Sequence, residues 1–156
     1  MVADSPMKMQ YETEIRASRD LVWAMFDNPD NLPRWQPTLK SFTHLVGEPG
    51  QPGAVSELIY DENGKKVTMT ETVTERRKPH FMAGTYDNDR ATSLIVNHFE
   101  EIDENTTRFI SYTNMNFKGI MKVMSLFVAK SIRARIEADL SRFKLLVETE
   151  AAGAER

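Results

Sequence analysis

Glu71 is the side chain whose type and position most favour chemistry. It lies in an alternating run, in register with Val67, Met69 and Val73. Successive side chains of a strand point to opposite faces, so Glu71 should point where these apolar neighbours point. If that face is the interior, burial raises the pKa of the carboxyl, which could then act as a general acid or base or orient a ligand. The alternative is a hydrated carboxylate near a strand edge, or one paired with an arginine.

Three further polar side chains, Asn97, Tyr60 and Tyr86, could act beside Glu71. Asn97 and His98 lie on opposite faces of one strand whose faces are both partly apolar, and a slip of one residue would exchange them. An inward Asn97 would serve as a structural amide or as a ligand donor. Tyr60 and Tyr86 are candidate phenol donors at a cavity, or alternatively aromatic residues at its rim or on the surface.

Other kinds of catalytic or metal site have no support in the sequence. His44, His80 and His98 are widely separated, and the chain contains no cysteine. It also lacks a Gly-x-Ser-x-Gly elbow and a glycine-rich loop that precedes a helix. The sequence therefore predicts no metal site and no cofactor.

Composition points to one globular domain. The chain has 156 residues, of which 40% are hydrophobic and 28% charged, with a net charge of -3. No basic tract is present, so we expect no nucleic-acid partner. The absence of cysteine and of an apolar leader favours a cytoplasmic protein.

The order of elements indicates an α+β fold. Residues 8–15 alternate and predict a half-buried strand, Ser18 is a candidate N-cap for a short helix, and residues 31–37 predict a second short helix or turn. Six more strands are predicted at residues 39–46, 55–60, 67–76, 81–86, 92–101 and 107–117. Their short connections, such as a hairpin turn at residues 61–64, allow only an antiparallel meander.

A long helix is predicted from Gly119 to about Glu148, within a domain of residues 8–149 that has flexible termini at 1–7 and 150–156. Its apolar stripe comprises Met121, Met124, Val128, Ile132, Ile136, Leu140, Phe143 and Val147. Beyond Ser131 the opposite face is charged, with Arg133, Arg135, Glu137, Asp139, Arg142 and Lys144. Before Ser131 the helix is apolar on several sides.

Several local stretches, in this order, resemble the START/Bet v 1-like superfamily, also called SRPBCC or polyketide cyclase/dehydrase-like. The stretches are Ser18-Arg-Asp-Leu-Val-Trp-Ala-Met-Phe26, Asn31-Leu-Pro-Arg-Trp35, Thr70-Glu-Thr-Val-Thr-Glu75, Asn97-His-Phe-Glu100 and Phe117-Lys-Gly119. The resemblance implies a helix-grip fold, in which a curved seven-stranded antiparallel sheet wraps around the C-terminal helix. It also favours an inward Asn97 near Glu71. It carries no catalytic motif to this chain, because members of the superfamily include binders, cyclases and chaperone partners.

In such a fold a cavity opens between the sheet and the helix. We expect its wall to contain Met69, Phe99, Met115, Met124, Phe127 and Val128, with Trp35 at one end. Each of these residues could instead be plain core. The apolar helix start could also be a dimer face. Membrane docking is a further alternative, which Lys118, Lys122 and Lys130 favour and the negative net charge opposes.

The sequence thus favours a protein that binds a small hydrophobic molecule such as a lipid, a polyketide or an aromatic compound. One alternative is a cyclase, dehydratase or hydrolase that uses Glu71 as its acid or base. Another is a homodimeric or partner-binding module. Lys122 and Lys130 interrupt the apolar run, so we expect no stable membrane insertion.

Overall fold

The computed structural model describes residues 6–155, which form seven strands and three helices. Strand β1 spans Met7–Ile15, and two short helices follow it, α1 at Arg19–Asp27 and α2 at Leu32–Trp35, joined by a 3₁₀ turn. The remaining elements are β2 Leu39–Val46, β3 Val55–Glu62, β4 Lys65–Arg77, β5 Phe81–Asp87, β6 Ala91–Asp103, β7 Thr106–Phe117 and α3 Met121–Ala154. The predicted order of elements is confirmed.

The strands form a single antiparallel sheet in the order β1-β7-β6-β5-β4-β3-β2. Strands β2 to β7 follow one another as a meander, and β1 closes the order by pairing with β7. Bulges interrupt β2 and β4, and such irregularities bend a sheet. Helix α3 covers one face, called the inner face below, which confirms the helix-grip fold.

Local sequence explains where elements begin and turn. The hydroxyl of Ser18 accepts a hydrogen bond from the backbone N–H of Leu21 at 3.3 Å, so Ser18 caps α1 as predicted. In the hairpin between β3 and β4, Asn63 and Gly64 have φ values of 55° and 83°. An Asn-Gly pair adopts this left-handed geometry readily, which fixes the hairpin at the predicted turn.

Two apolar clusters hold α3 on the sheet. The aromatic core lies at the end of the sheet that contains Ile15 and combines α1, α2 and the C-terminal half of α3. Its ring contacts join Trp23, Phe26, Trp35, Phe99, Phe109 and Phe143. The methionine cluster lies at the other end and contains Met7, Ala91, Met115 and Phe117 beneath the first turns of α3.

Helix α3 is longer at its C-terminal end than predicted. It runs to Ala154, so residues 150–154 are helical although the sequence was expected to fray there. Ala151 packs against the aromatic core, and alanine is the strongest helix former, which together explain the extension. Met7, also assigned to a flexible terminus, begins β1; residues 1–5 and 156 lie outside the described part of the chain.

Candidate functional site

A cavity of about 810 Å³ lies between the inner face of the sheet and α3, with the aromatic core at one end and the methionine cluster at the other. Its volume is within the range of small-molecule sites. The walls are mainly apolar: the sheet contributes Leu58, Val67, Met69, Val73, Ile95 and Met115, and α3 contributes Met121, Val128, Ile132 and Ile136.

A row of side chains crosses the inner face from strand to strand, and the strand registers place it. Glu71 on β4 lies directly opposite Ser56 on β3 and Tyr86 on β5. Tyr86 in turn lies opposite Ser93 on β6, and Ser93 lies opposite Met115 on β7. Directly opposed residues of neighbouring strands are close enough to interact. Because all five line the cavity, it has a polar band across otherwise apolar walls.

Glu71 and Tyr86 form the electrostatic centre of this row. Burial raises the pKa of the Glu71 carboxyl, while its hydrogen bond with Tyr86 lowers it in part. Burial and the neighbouring carboxylate both raise the pKa of the Tyr86 phenol well above its ordinary value. The phenol therefore remains a donor at any physiological pH, and Glu71 keeps its proton to a higher pH than an exposed glutamate does.

Asn97 faces the cavity, as expected, but lies farther from Glu71 than the sequence suggested. It is 6% exposed and lines the cavity, opposite Ser111 on β7 and Met82 on β5. On β6, Ser93 is the residue level with the Glu71 row, and Asn97 lies four residues beyond it. Four strand residues span about 13 Å, so Asn97 belongs to the end of the cavity near the aromatic core.

A second polar group, the rim cluster, lies where the helices approach β3. It consists of Gln36, Tyr60, Glu62, Arg135 and Asp139, all of which line the cavity. The Tyr60 hydroxyl donates a hydrogen bond to Gln36 Oε1 at 2.9 Å, and the Arg135 guanidinium pairs with the Glu62 carboxylate. Burial raises the pKa values of Tyr60 and Asp139. These contacts tie α3 and the end of α2 to β3.

Eight of the predicted site residues line the cavity. They are Trp35, Tyr60, Met69, Glu71, Tyr86, Asn97, Met115 and Val128. Trp35 also packs against Phe143 in the aromatic core, so it joins core and cavity. The structure brings the Glu71 and Tyr86 side chains together and leaves Tyr60 within their electrostatic range.

Three predicted wall residues lie elsewhere, which corrects their assignment. Phe99 is on the inner face but is packed within the aromatic core, against Trp23 and Phe109. Met124 is 41% exposed and Phe127 is 77% exposed. Phe127 is next to the inward Val128, and because each helical residue turns by about 100°, the Phe127 side chain points well away from the cavity.

Sequence reasoning missed several polar residues of the site. Arg135 and Asp139 were assigned to the charged outer face of the helix, yet both line the cavity. Arg135 follows the inward-facing Ile132 by three residues, and Asp139 follows Arg135 by four, so helical spacing alone would place both on the inner side. Their charge led to the opposite assignment. Ser56 and Ser93 were overlooked because a small buried serine carries little signal until the strand registers are known.

The described part of the chain offers neither a metal-binding cluster nor a membrane-spanning helix. Within residues 6–155, no group of His, Asp or Glu side chains converges in a way that could hold a metal ion. In the same part of the chain, no helix combines the length and hydropathy needed to cross a membrane.

Comparison with known structures shows the fold. The chain is similar to the Zhui aromatase/cyclase from Streptomyces sp. R1128, with a TM-score of 0.79 and 14% identity over 92% of this chain and 94% of that one. It is also similar to Ara h 8.0201, with a TM-score of 0.76 and 13% identity over 93% and 99%. A START superfamily protein from Mycobacterium smegmatis has a TM-score of 0.69 and 13% identity over 94% and 98%.

Sequence comparison identifies the family. No curated protein sequence matches the chain significantly. Residues 6–148 match the family described as polyketide cyclase / dehydrase and lipid transport. The chain therefore belongs to this family, within the START/Bet v 1-like helix-grip superfamily that the sequence resembles.

Proposed function

We propose that the protein binds a small hydrophobic molecule in the cavity between the sheet and α3. The observation that carries this proposal is the cavity of about 810 Å³, whose apolar walls are crossed by one polar row. Apolar burial supplies the driving force for binding, and a few placed polar groups set the orientation.

The polar row favours a ligand with a neutral oxygen near its middle. The row residues Ser56, Tyr86 and Ser93 beside Glu71 carry no positive charge, so a ligand carboxylate there would meet no counter-charge. A carbonyl could accept a hydrogen bond from Tyr86 or from protonated Glu71, and a hydroxyl could donate to the carboxylate. We therefore expect a ligand that places a ketone, alcohol or phenol oxygen at this row to bind more tightly than a ligand of similar size that places a carboxylate there.

Binding can be tested with phenylnaphthylamine, a neutral apolar dye whose fluorescence rises in dry sites. We expect saturable binding by the wild-type protein. Ile132→Trp places a large ring at the cavity wall and should weaken binding by about tenfold or more, which corresponds to 1.4 kcal/mol. Ala134→Trp, on the exposed side of the same helix, is the matched control and should bind normally. Equal binding by both variants would contradict the proposal.

The natural ligand can be identified by native mass spectrometry of protein purified from its own host. A retained compound would be extracted and its affinity compared between wild type and Glu71→Gln. A binding protein tolerates this change with a modest loss, because glutamine keeps the shape and one acceptor oxygen.

A second candidate function is proton-transfer catalysis of the cyclase, dehydratase or hydrolase type. The observation that favours it is the contact between Glu71 and Tyr86, a carboxyl of raised pKa beside a phenol that stays protonated. If the retained compound is a substrate, wild type should convert it and Glu71→Gln should bind it without conversion. Equal conversion by both proteins would exclude Glu71 as the acid or base.

A further inference from the structure

The first turns of α3 present large apolar side chains to solvent. Ile120, just before the helix, is 77% exposed, and Val123, Leu126 and Phe127 are 71%, 72% and 77% exposed. These residues, here called the apolar face, recur at helical spacings of three and four. Contiguous exposed apolar surface of this kind marks an interaction site more often than a monomer surface.

The charge of the same segment is entirely positive. Residues 118–136 contain five basic residues and no acidic residue, in a chain whose net charge is -3. Lys118 and Arg135 pair with Asp87 and Glu62. Lys130 is exposed and lies three residues from Phe127, and Arg133 follows it on the same side of the helix. Basic charge therefore lies within and beside the apolar face.

We propose that the apolar face of α3 docks the protein on the surface of an anionic lipid bilayer. A helix with large apolar residues and lysines on one exposed side lies in the interface plane, where the apolar groups enter the acyl boundary and the cations meet lipid phosphates. The docking is peripheral, since no helix in residues 6–155 could span a membrane.

A second copy of the chain is a poorer occupant of this face. A two-fold interface places the same patch against itself, so it would bring two copies of Lys130 and two of Arg133 into one interface. Residues 118–136 offer no carboxylate to compensate them. Charge therefore distinguishes the two occupants, because an anionic bilayer complements the cations of this segment and a second copy adds like charges.

Docking on this side would bring the cavity next to the lipid. Met121 and Val128 belong to the same helical turns as the apolar face, but point inward and line the cavity. The docking proposal nevertheless does not depend on a ligand in the cavity, and the experiment that tests it needs no ligand. A failure of docking leaves cavity binding untouched, and the reverse also holds.

Vesicle co-sedimentation tests the docking. We expect wild type to bind vesicles that contain phosphatidylglycerol, to bind pure phosphatidylcholine vesicles at least about tenfold more weakly, and to be released by salt as the screening length falls. Phe127→Glu should lower the partition coefficient by about tenfold or more. Lys130→Glu should remove the preference for anionic vesicles.

Matched controls separate docking from folding. Leu145→Glu alters an exposed leucine, 65% exposed, in the C-terminal half of the same helix and should bind vesicles as wild type does. Thermal unfolding and phenylnaphthylamine binding of Phe127→Glu should match wild type, because the side chain is outside core and cavity. Equal sedimentation of Phe127→Glu and wild type would overturn the proposal. So would a concentration-dependent dimer in light scattering that Phe127→Glu dissociates, since the face would then be an interface between copies.

Discussion

At the scale of single residues, Glu71 shows how a strand register creates chemistry. Its neighbours across the sheet are Ser56 and Tyr86, neither of which carries a positive charge. Ionisation therefore has to be supported by a phenol hydrogen bond rather than by an ion pair. Because the Glu71 carboxyl lines the cavity, a ligand that contacts it would change its pKa and therefore its protonation state.

Glu71→Gln should change the pH dependence of stability. Folding raises the pKa of Glu71. The unfolding free energy of the wild type therefore falls as the pH rises from the pKa of the unfolded chain through the raised pKa of the folded protein. The glutamine variant avoids this loss, so its unfolding free energy should exceed that of wild type at neutral pH. The excess should vanish below about pH 4, where the carboxyl is protonated in both states.

Denaturant unfolding at several pH values measures this effect. Each pKa unit between folded and unfolded states corresponds to about 1.4 kcal/mol. Glu57→Gln on the neighbouring strand β3 is a control outside the cavity wall. A stability difference that is independent of pH would show that Glu71 is hydrated as in an ordinary surface position.

Arg76 gives a second prediction at this scale. Its guanidinium contacts the Asp27 carboxylate at 2.5 and 2.9 Å and stacks over Trp23 at 5.1 Å. The Arg76 side chain is 12% exposed, so its removal leaves a partly buried carboxylate without its partner. Arg76→Ala should lower the unfolding free energy by about 3 kcal/mol.

Arg77 is the matched control for this change. It is adjacent in sequence but points outward, where it pairs with the exposed Glu75. Arg77→Ala should change the unfolding free energy by less than about 1 kcal/mol. Equal effects of the two substitutions would mean that the bidentate pair contributes nothing beyond a surface ion pair.

At the scale of elements, α3 has two halves with different surroundings. Its C-terminal half buries Leu140, Phe143 and Val147 in the aromatic core. Its N-terminal half covers the cavity on one side and exposes the apolar face on the other. One continuous helix thus joins a closely packed region to a region that surrounds a cavity.

Phe143→Ala tests the first of these halves. The ring is fully buried and contacts Phe26, Trp35 and Phe109, so its removal should lower the unfolding free energy by about 3–5 kcal/mol. Leu145→Ala, two residues away and exposed, should change it by less than about 0.5 kcal/mol. Chemical denaturation of both variants gives the comparison, and similar losses would contradict this division of the helix.

The strands could be predicted well because one face of the sheet is buried. Alternation over a half-buried strand distinguishes the faces, and it correctly placed Glu71 and Met115 on the inner face. Both faces of the strand that contains Asn97 are partly apolar, so the inward side of Asn97 was predicted from the family resemblance instead. Alternation could not show how far apart these residues lie along the sheet, because that depends on hairpin offsets and on the bulge between Val73 and Glu75. The distance between Asn97 and Glu71 was misjudged for this reason.

The helix was less predictable than the strands. Periodicity predicts which residues share a side, but not whether core, cavity or solvent covers that side. Met124 and Phe127 are apolar and were therefore expected at the wall, whereas both are exposed. Arg135 and Asp139 are charged and were expected outside, whereas both line the cavity. Polarity was a poor guide to the side on which a helical residue lies, because the cavity wall includes the charged and polar residues of the rim cluster.

At the scale of the whole molecule, the cavity is a part of the interior that the protein's own side chains do not fill. Empty volume forfeits packing interactions, and a bound ligand restores them. Anything that binds the folded state alone also stabilises it by mass action. The unfolding free energy of the protein should therefore rise when a ligand occupies the cavity.

Thermal unfolding tests this expectation. Phenylnaphthylamine at a hundredfold excess over its Kd should stabilise the folded protein by about 2.7 kcal/mol, which raises Tm by roughly 5–10 °C for a chain of this size. Ile132→Trp should lose this shift and Ala134→Trp should retain it. A dye that binds without raising Tm would be associating with the unfolded chain as well.

The separation of the aromatic core from the cavity also bears on how such a sequence can evolve. Substitutions at the cavity wall alter what fits there while the aromatic rings continue to hold α1, α2 and α3 on the sheet. Selection for a new ligand and selection for folding therefore act on partly different positions, although residues such as Trp35 and Leu140 belong to both sets. Two chains that are 14% identical can share the whole architecture, as the comparison with the aromatase/cyclase shows.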